Sequence, residues 1–178
     1  MQSLATLGEP VTFTKGAFLQ RQGELARSYY WITQGVARTA FINSAGREVT
    51  LRFAVESEIA GAHEDLLRAE QGLSALSFVV AEQVLTAFRF DWARVRRLEL
   101  EGRLPLDLLM RVAEYNLRKQ ANRSYLAGLP SAREKLTAFR NDYPGLETRI
   151  TKRSIASYLD VTPQYLSQLL RATEGGPC

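Results

Sequence analysis

Glycine divides the first half of this chain into short pieces. Gly16, Gly23, Gly35 and Gly46 separate runs too short for helices, among them 11–13, 17–19, 29–33 (YYWIT) and 36–42. The run 48–53 alternates, with Val49, Leu51 and Phe53 on one side, and runs at 76–80 and 84–90 close the series. Strands recurring about every 8–12 residues between glycine turns point to an antiparallel sandwich or barrel. Asn43-Ser44-Ala45-Gly46, between two such runs, is the strongest hairpin signal. The first ninety residues are therefore expected to form a closed β unit.

The period then changes. Asp91 is placed to cap a short helix, DWARVRRLEL, and Gly102 ends it. A long helix is expected from Pro105 to about Leu126, with Pro105 and Asp107 suited to its first turn. Met110, Ala113, Leu117, Ala121 and Ser124 follow one another at intervals of three or four and so share a face, with Leu109, Val112 and Tyr115 in a neighbouring row. This narrow, mostly small stripe suits packing on the barrel and pairing with a second copy equally well. Gly128-Leu129-Pro130 breaks the helix. Ser131-x-x-Glu134 then has the form of a capping box, opening a helix that stops before Tyr143-Pro144-Gly145.

The segment 151–171, TKRSIASYLDVTPQYLSQLLR, reads as two short helices about a corner at Asp160 and Val161. Thr151 is a candidate cap for the first, and Thr162-Pro163 reads as cap and first position of the second. Ile155, Ala156 and Leu159 face one way, as do Leu166, Leu169 and Leu170. Asp160 tolerates the left-handed backbone that such a corner needs. Gln164, Tyr165, Ser167, Gln168 and Arg171 are left off the apolar face. Glutamine pairs with adenine, arginine with guanine or phosphate, and serine with either base type. A plain helical hairpin and a DNA-reading one both fit.

Composition excludes more than it selects. Of 178 residues only one is Cys (Cys178) and one His (His63). A structural zinc site needs about four Cys or His ligands and an iron–sulfur cluster usually four thiolates, so neither fits within one chain. No catalytic triad or HExxH arrangement stands out. The lone His63 reads as an ordinary polar residue, and a cupin-like metal enzyme would want several histidines. No apolar run approaches the roughly 20 residues of a membrane span, and the N-terminal sequence lacks a signal peptide's basic start and apolar core. A cytoplasmic non-enzyme is expected. The net charge of +4 permits nucleic-acid binding without demanding it, and it is spread evenly. Residues 129–178 carry seven Lys/Arg against five Asp/Glu, the remainder 16 against 14.

The order of parts resembles the Crp/Fnr family of bacterial transcription regulators. The run Gly16…Gly23-Glu24…Tyr30-Trp31-Ile32…Gly35-Val36…Gly46-Arg47-Glu48 is similar to that family's cyclic-nucleotide-binding barrel. LDLLMRVAEYNLRKQ resembles its dimerisation helix, and 151–171 aligns without a gap to its helix-turn-helix. The resemblance implies an α+β chain: an antiparallel jelly-roll (double-stranded β-helix) barrel over 1–101, a dimerisation helix over 102–128, and a helix-turn-helix domain over 129–178. It implies a homodimer on double-stranded DNA with a pseudo-palindromic site, RNA polymerase as a further partner, and no membrane. DNA contacts would come from Thr151, Lys152, Arg153, Thr162, Pro163, Gln164, Ser167, Gln168 and Arg171. Dimer contacts would come from Leu109, Met110, Val112, Ala113, Leu117, Ala121 and Ser124.

Three departures qualify the resemblance. Family members that bind cyclic nucleotides hold the phosphate with a Gly-Glu segment and an Arg-Ser/Thr pair. Here Gly61-Ala62-His63-Glu64 and Leu73-Ser74 stand in those places. A buried phosphate without its arginine loses its main charge-assisted contacts. These six residues are the expected effector pocket; no cofactor and no cyclic nucleotide are expected there, and the effector is either absent or of another kind. A space between barrel and long helix, lined by leucines and aromatics, is the expected place for an apolar effector. The cluster cysteines of oxygen-sensing members are missing. Only seven residues follow Arg171, so a full wing is not expected. The rival reading is a small-molecule sensor that acts through protein–protein contacts without DNA.

Overall fold

A computed structural model describes residues 8–174, apart from the side chains of Leu106, Leu109, Thr173 and Glu174. The first seven residues, and the tail 175–178 on which the expectation about the wing and the position of Cys178 depend, lie outside the described residues.

Eight strands form two antiparallel four-stranded sheets. One has the order β1 (Glu9–Phe13), β8 (Leu85–Asp91), β3 (Ser28–Gln34), β6 (Ile59–Ala60). The other has β2 (Phe18–Gln20), β7 (Phe78–Ala81), β4 (Ala37–Ile42), β5 (Glu48–Ala54). This is the expected jelly-roll barrel. Tyr30, Ile32, Ala37, Ala54, Ala60, Val79, Leu85 and Ala87 are buried between the sheets. The corner between β3 and β4 depends on Gly35, at φ +98°, because a Cβ there would run into the Val84 carbonyl oxygen. The β4–β5 hairpin turns at the NSAG sequence. Asn43 Oδ1 accepts from the backbone N–H groups of Ala45 (3.0 Å) and Arg47 (2.9 Å), which closes the turn.

Between β6 and β7 lies a helix with no periodic signal in the sequence, α1 (His63–Glu70). It has no side-chain cap, and its inner face buries both Asp65 and Leu66. The Asp65 carboxylate accepts from the N–H groups of Leu76 (2.7 Å) and Ser77 (3.1 Å) and from the Ser77 hydroxyl (2.5 Å). Those backbone donors are thereby withdrawn from sheet pairing, and β7 starts at Phe78 rather than at Leu76 as expected.

After β8, Asp91 caps α2 (Trp92–Leu100) by accepting from Arg94 N–H at 2.9 Å. The long helix α3 (Leu106–Gly128) follows, then α4 (Ala132–Asp142), whose Ser131 hydroxyl accepts from Glu134 N–H. A 3-10 turn (Leu146–Thr148) leads to α5 (Lys152–Leu159) and α6 (Pro163–Glu174). The helical end shares its core with the barrel. Val36 of the β3–β4 corner and Phe53 of β5 are in one cluster with Leu126, Leu136, Phe139, Tyr143, Leu146, Ile155, Tyr158, Leu159 and Leu166.

Candidate nucleic-acid interface

The 151–171 hairpin forms as its local chemistry demands. The Thr151 hydroxyl accepts from Ser154 N–H (3.1 Å) at the start of α5. Asp160 takes the left-handed conformation, φ 56° and ψ 49°, and Val161 N–H donates back to Ala156 O. The Thr162 hydroxyl accepts from Tyr165 N–H (3.1 Å), and Pro163 occupies the first helical position. Ile155, Ala156, Leu159, Leu166, Leu169 and Leu170 are all buried. The opposite side is open. Thr151, Lys152, Arg153, Thr162, Pro163, Gln164, Tyr165, Gln168 and Arg171 are exposed. Ser167 is half-buried, and its hydroxyl donates to the Pro163 carbonyl at 2.9 Å. Of the nine expected contact residues, Ser167 alone is thus not exposed. A cleft of about 700 Å³ lined by Lys152, Ser167 and Arg171 borders this side, where an Arg140–Glu147 pair forms part of its wall.

The hairpin is seated on the β4–β5 hairpin of the barrel. The Ser157 hydroxyl accepts from Thr50 N–H (2.9 Å) and donates to the Glu48 carbonyl (3.0 Å). The Ser154 hydroxyl donates to Glu82 (2.9 Å), which also takes the Arg38 guanidinium. Arg38, only 8% exposed, reaches Glu48 (2.7 Å) and Thr50 as well, so this buried cation has full company. Arg149 lies fork to fork with Glu56, at 2.9 and 2.6 Å, and this hydrogen bonding holds the Glu56 carboxyl down at about 2. Arg47, at the β4–β5 turn, pairs with the corner residue Asp160 at 2.9 Å. Phe53 of β5 packs its ring against Phe139, Tyr143 and Tyr158, and its N–H donates to the Tyr143 hydroxyl. None of these contacts was anticipated. Polar Ser154 and Ser157 beside the apolar face of α5 were the available signal.

On α3, Met110, Ala113, Leu117, Ala121 and Ser124 are on the open side, and Met110 and Leu117 stand 55% and 69% exposed. The barrel side of α3 is a different stripe: Val112, Tyr115, Asn116, Lys119 and Leu126. Val112, expected on the dimer face, instead packs against the cluster of Tyr29, Leu66 and Ala75. Its helical phase matches Asn116 and Lys119 rather than Ala113 and Leu117. The Leu109 side chain lies outside the described residues.

The expected effector pocket is split along α1. Gly61 and Ala62 are buried before its first turn, with Gly61 at φ +126° and too close to the Tyr29 ring (2.9 Å) to carry a Cβ. His63 Nδ1 meets the Tyr29 hydroxyl, whose pKa burial pushes up. Glu64 is exposed. Leu73 and Ser74 lie beyond the far end, where Leu73 N–H and Ser74 O bond to Arg68, and both are exposed. Helical residues 65–70, about 9 Å of axis, lie between the two groups. The space between barrel and α3 is bridged by polar ties rather than lined for an apolar ligand. Arg52 donates to the Gly61 carbonyl and to Asn116 Oδ1, Lys119 pairs with Glu58 (2.7 Å), and the Tyr115 hydroxyl donates to Ile59 O. Among the described residues no group of three His, Cys, Asp or Glu is arranged to hold a metal ion, and no helix is long and apolar enough to cross a membrane.

Chemically, this arrangement offers hydrogen-bonding and cationic side chains on an open helix face. No family model matches the chain, and no curated protein does. Solved structures do. FixK2 from Bradyrhizobium japonicum superposes with a TM-score of 0.75 at 17% identity, over 94% of this chain and 84% of that one. A mutant of CooA from Carboxydothermus hydrogenoformans gives 0.70 at 18%, over 96% and 78%. A transcriptional regulator of the CRP/FNR family from Thermus thermophilus gives 0.67 at 18%, over 94% and 87%. Barrel, long helix and helix-turn-helix thus follow one another here in the fold of Crp/Fnr-type transcription regulators.

Proposed function

We propose that this chain is a sequence-specific, DNA-binding transcription regulator of Crp/Fnr type, working in the cytoplasm without catalytic chemistry. One observation carries the reading. The second helix of a capped helix-turn-helix buries every leucine, yet leaves Gln164, Gln168 and Arg171 open beside exposed Thr151, Lys152 and Arg153. That is the distribution a groove-reading helix requires, with its partner helix flanking the phosphate backbone. The likeness in fold to a CRP/FNR-family regulator supports it.

The working species is a homodimer through the open stripe of α3. Two copies place two α6 helices about 34 Å apart, which matches a pseudo-palindromic site. The barrel does not answer to cyclic AMP. Arg52, Lys119 and Tyr115 already bridge barrel and α3, and Leu73 offers a phosphate nothing. The purified chain is to be incubated at low salt with a genomic fragment library. Enrichment of palindromic fragments is expected, and a library recovered without any enrichment refutes the reading. Addition of cyclic AMP or cyclic GMP is expected to shift neither the melting temperature nor the binding.

A further inference from the structure

We infer that the exposed face of α6 reads an A·T-rich half-site, and that Tyr165 is a specificity residue within it. This rests on the DNA-binding reading above. Four side chains of α6 project from its open face between Gln164 and Arg171: Gln164, Tyr165, Gln168 and Arg171 itself. Ser167, the other polar candidate, has its hydroxyl committed to the Pro163 carbonyl. The reading set is therefore two amides, one phenol and, a turn further on, one guanidinium.

The chemistry of that set is selective. A glutamine carboxamide both accepts and donates, and adenine presents N6–H₂ and N7 together in the major groove. Guanine presents two acceptors there, which suit arginine or lysine, and no such cation stands among the first eight residues of α6. Gln164 and Gln168 are four residues apart, about 6 Å along the axis. That is the reach of two base-pair steps of roughly 3.4 Å. Both amides thus meet bases in the same half-site.

Tyr165 adds an apolar element. Its ring is 49% exposed, although burying it would have been favourable. Thr162 Oγ1 holds its backbone N–H, which fixes the residue in the first turn, where recognition helices meet base edges. The thymine C5-methyl is the apolar group on the major-groove floor. It is present in every pair that offers an adenine to a glutamine. One ring and two amides on one face therefore converge on A·T pairs.

The test alters the DNA, so that folding is not in question. A random-sequence duplex library is first enriched on the purified full chain at low salt. The expected winners carry A·T pairs at the two or three central positions of each half-site. Each of those thymines is then replaced by deoxyuridine, which deletes only the methyl group, and each adenine by 7-deaza-adenine, which deletes N7. One deoxyuridine position is expected to weaken binding about fourfold, the equivalent of one buried methyl group. That effect is expected to vanish with Tyr165→Ala and to persist with Tyr165→Phe. Two 7-deaza positions are expected to cost about 5- to 150-fold each, and Gln164→Ala or Gln168→Ala to abolish one of them apiece. Winners with G·C pairs at those positions overturn the inference while leaving the DNA-binding reading intact. Deoxyuridine substitutions without effect overturn the role of Tyr165. A library that yields no winners overturns the DNA-binding reading itself.

Discussion

Phe53 belongs by sequence to a barrel strand, but by contact to the helical end of the molecule. It is fully buried, and its ring centroid lies 6.1, 5.6 and 5.5 Å from those of Phe139, Tyr143 and Tyr158. Phe53→Ala removes the barrel ring that sits within the core of the helical end. Exposing such a side chain forfeits about 1.5–3 kcal/mol of transfer energy, and with the unfilled cavity Phe→Ala typically costs about 3–5 kcal/mol. The upper half of that range is expected, because all three neighbouring rings lose an edge-on or tilted partner. For a chain of this length each kcal/mol lowers Tm by about 2–4 °C. The assay is urea and thermal denaturation followed by tyrosine fluorescence and far-ultraviolet circular dichroism together. The wild type is expected to unfold in one step, and Phe53→Ala to melt its helices α4 to α6 before the barrel. Phe53→Leu, which keeps most of the volume, is expected to lose about 1–2 kcal/mol and to keep one step. A wild type with two separate transitions, or a loss below about 1 kcal/mol in Phe53→Ala, would refute the claim that one core spans both parts.

Three further outcomes follow from the same contacts. The Glu56 carboxyl, held at about 2 chiefly by Arg149, adds stability that is present above its unfolded value and lost as pH falls towards 2, so Glu56→Gln should flatten the acid limb of a Tm-versus-pH curve below about pH 5. At Asp160 the left-handed corner accepts Gly to within about 0.5 kcal/mol, since the exposed Arg47 pair contributes little, whereas Asp160→Val should cost about 1–2 kcal/mol in chemical denaturation. Leu117→Glu on the open face of α3 should leave the stability of a single copy within about 0.5 kcal/mol while light scattering reports monomers; a chain that unfolds instead would place Leu117 in a core.

What could be read from the sequence was local. The NSAG turn, the Asp91, Ser131 and Thr151 caps, the Asp160 corner and the Thr162-Pro163 start depend on neighbours within four residues, and each forms as its side chain dictates. The helix α1 escaped because its signal is inverted: an acid is buried there, and its partners at Leu76 and Ser77 are a loop away. Val112 turns inward rather than to the open face because adjacent rows of α3 are both apolar, and only the barrel decides which is buried. The seating of α5 escaped altogether. Ser157 meets Glu48 and Thr50 across more than a hundred residues, and no periodicity reports a contact of that range.

That seating bears on how the proposed reading face is presented. Ser154 and Ser157 are polar positions on the barrel side of α5, where a free-standing helix-turn-helix would gain nothing from a hydroxyl. Each finds its partners on the barrel, Glu82 for one and the Thr50 and Glu48 backbone for the other. A buried hydroxyl without such partners would cost about 1–3 kcal/mol. The two serines therefore favour the docked arrangement over any in which α5 leaves β5, and Arg47–Asp160 and Arg149–Glu56 act in the same direction. Docking leaves Gln164, Tyr165 and Gln168 exposed, so the arrangement that satisfies the serines also presents the face proposed to read DNA. A ligand that released α5 from the barrel would have to offset every one of these contacts.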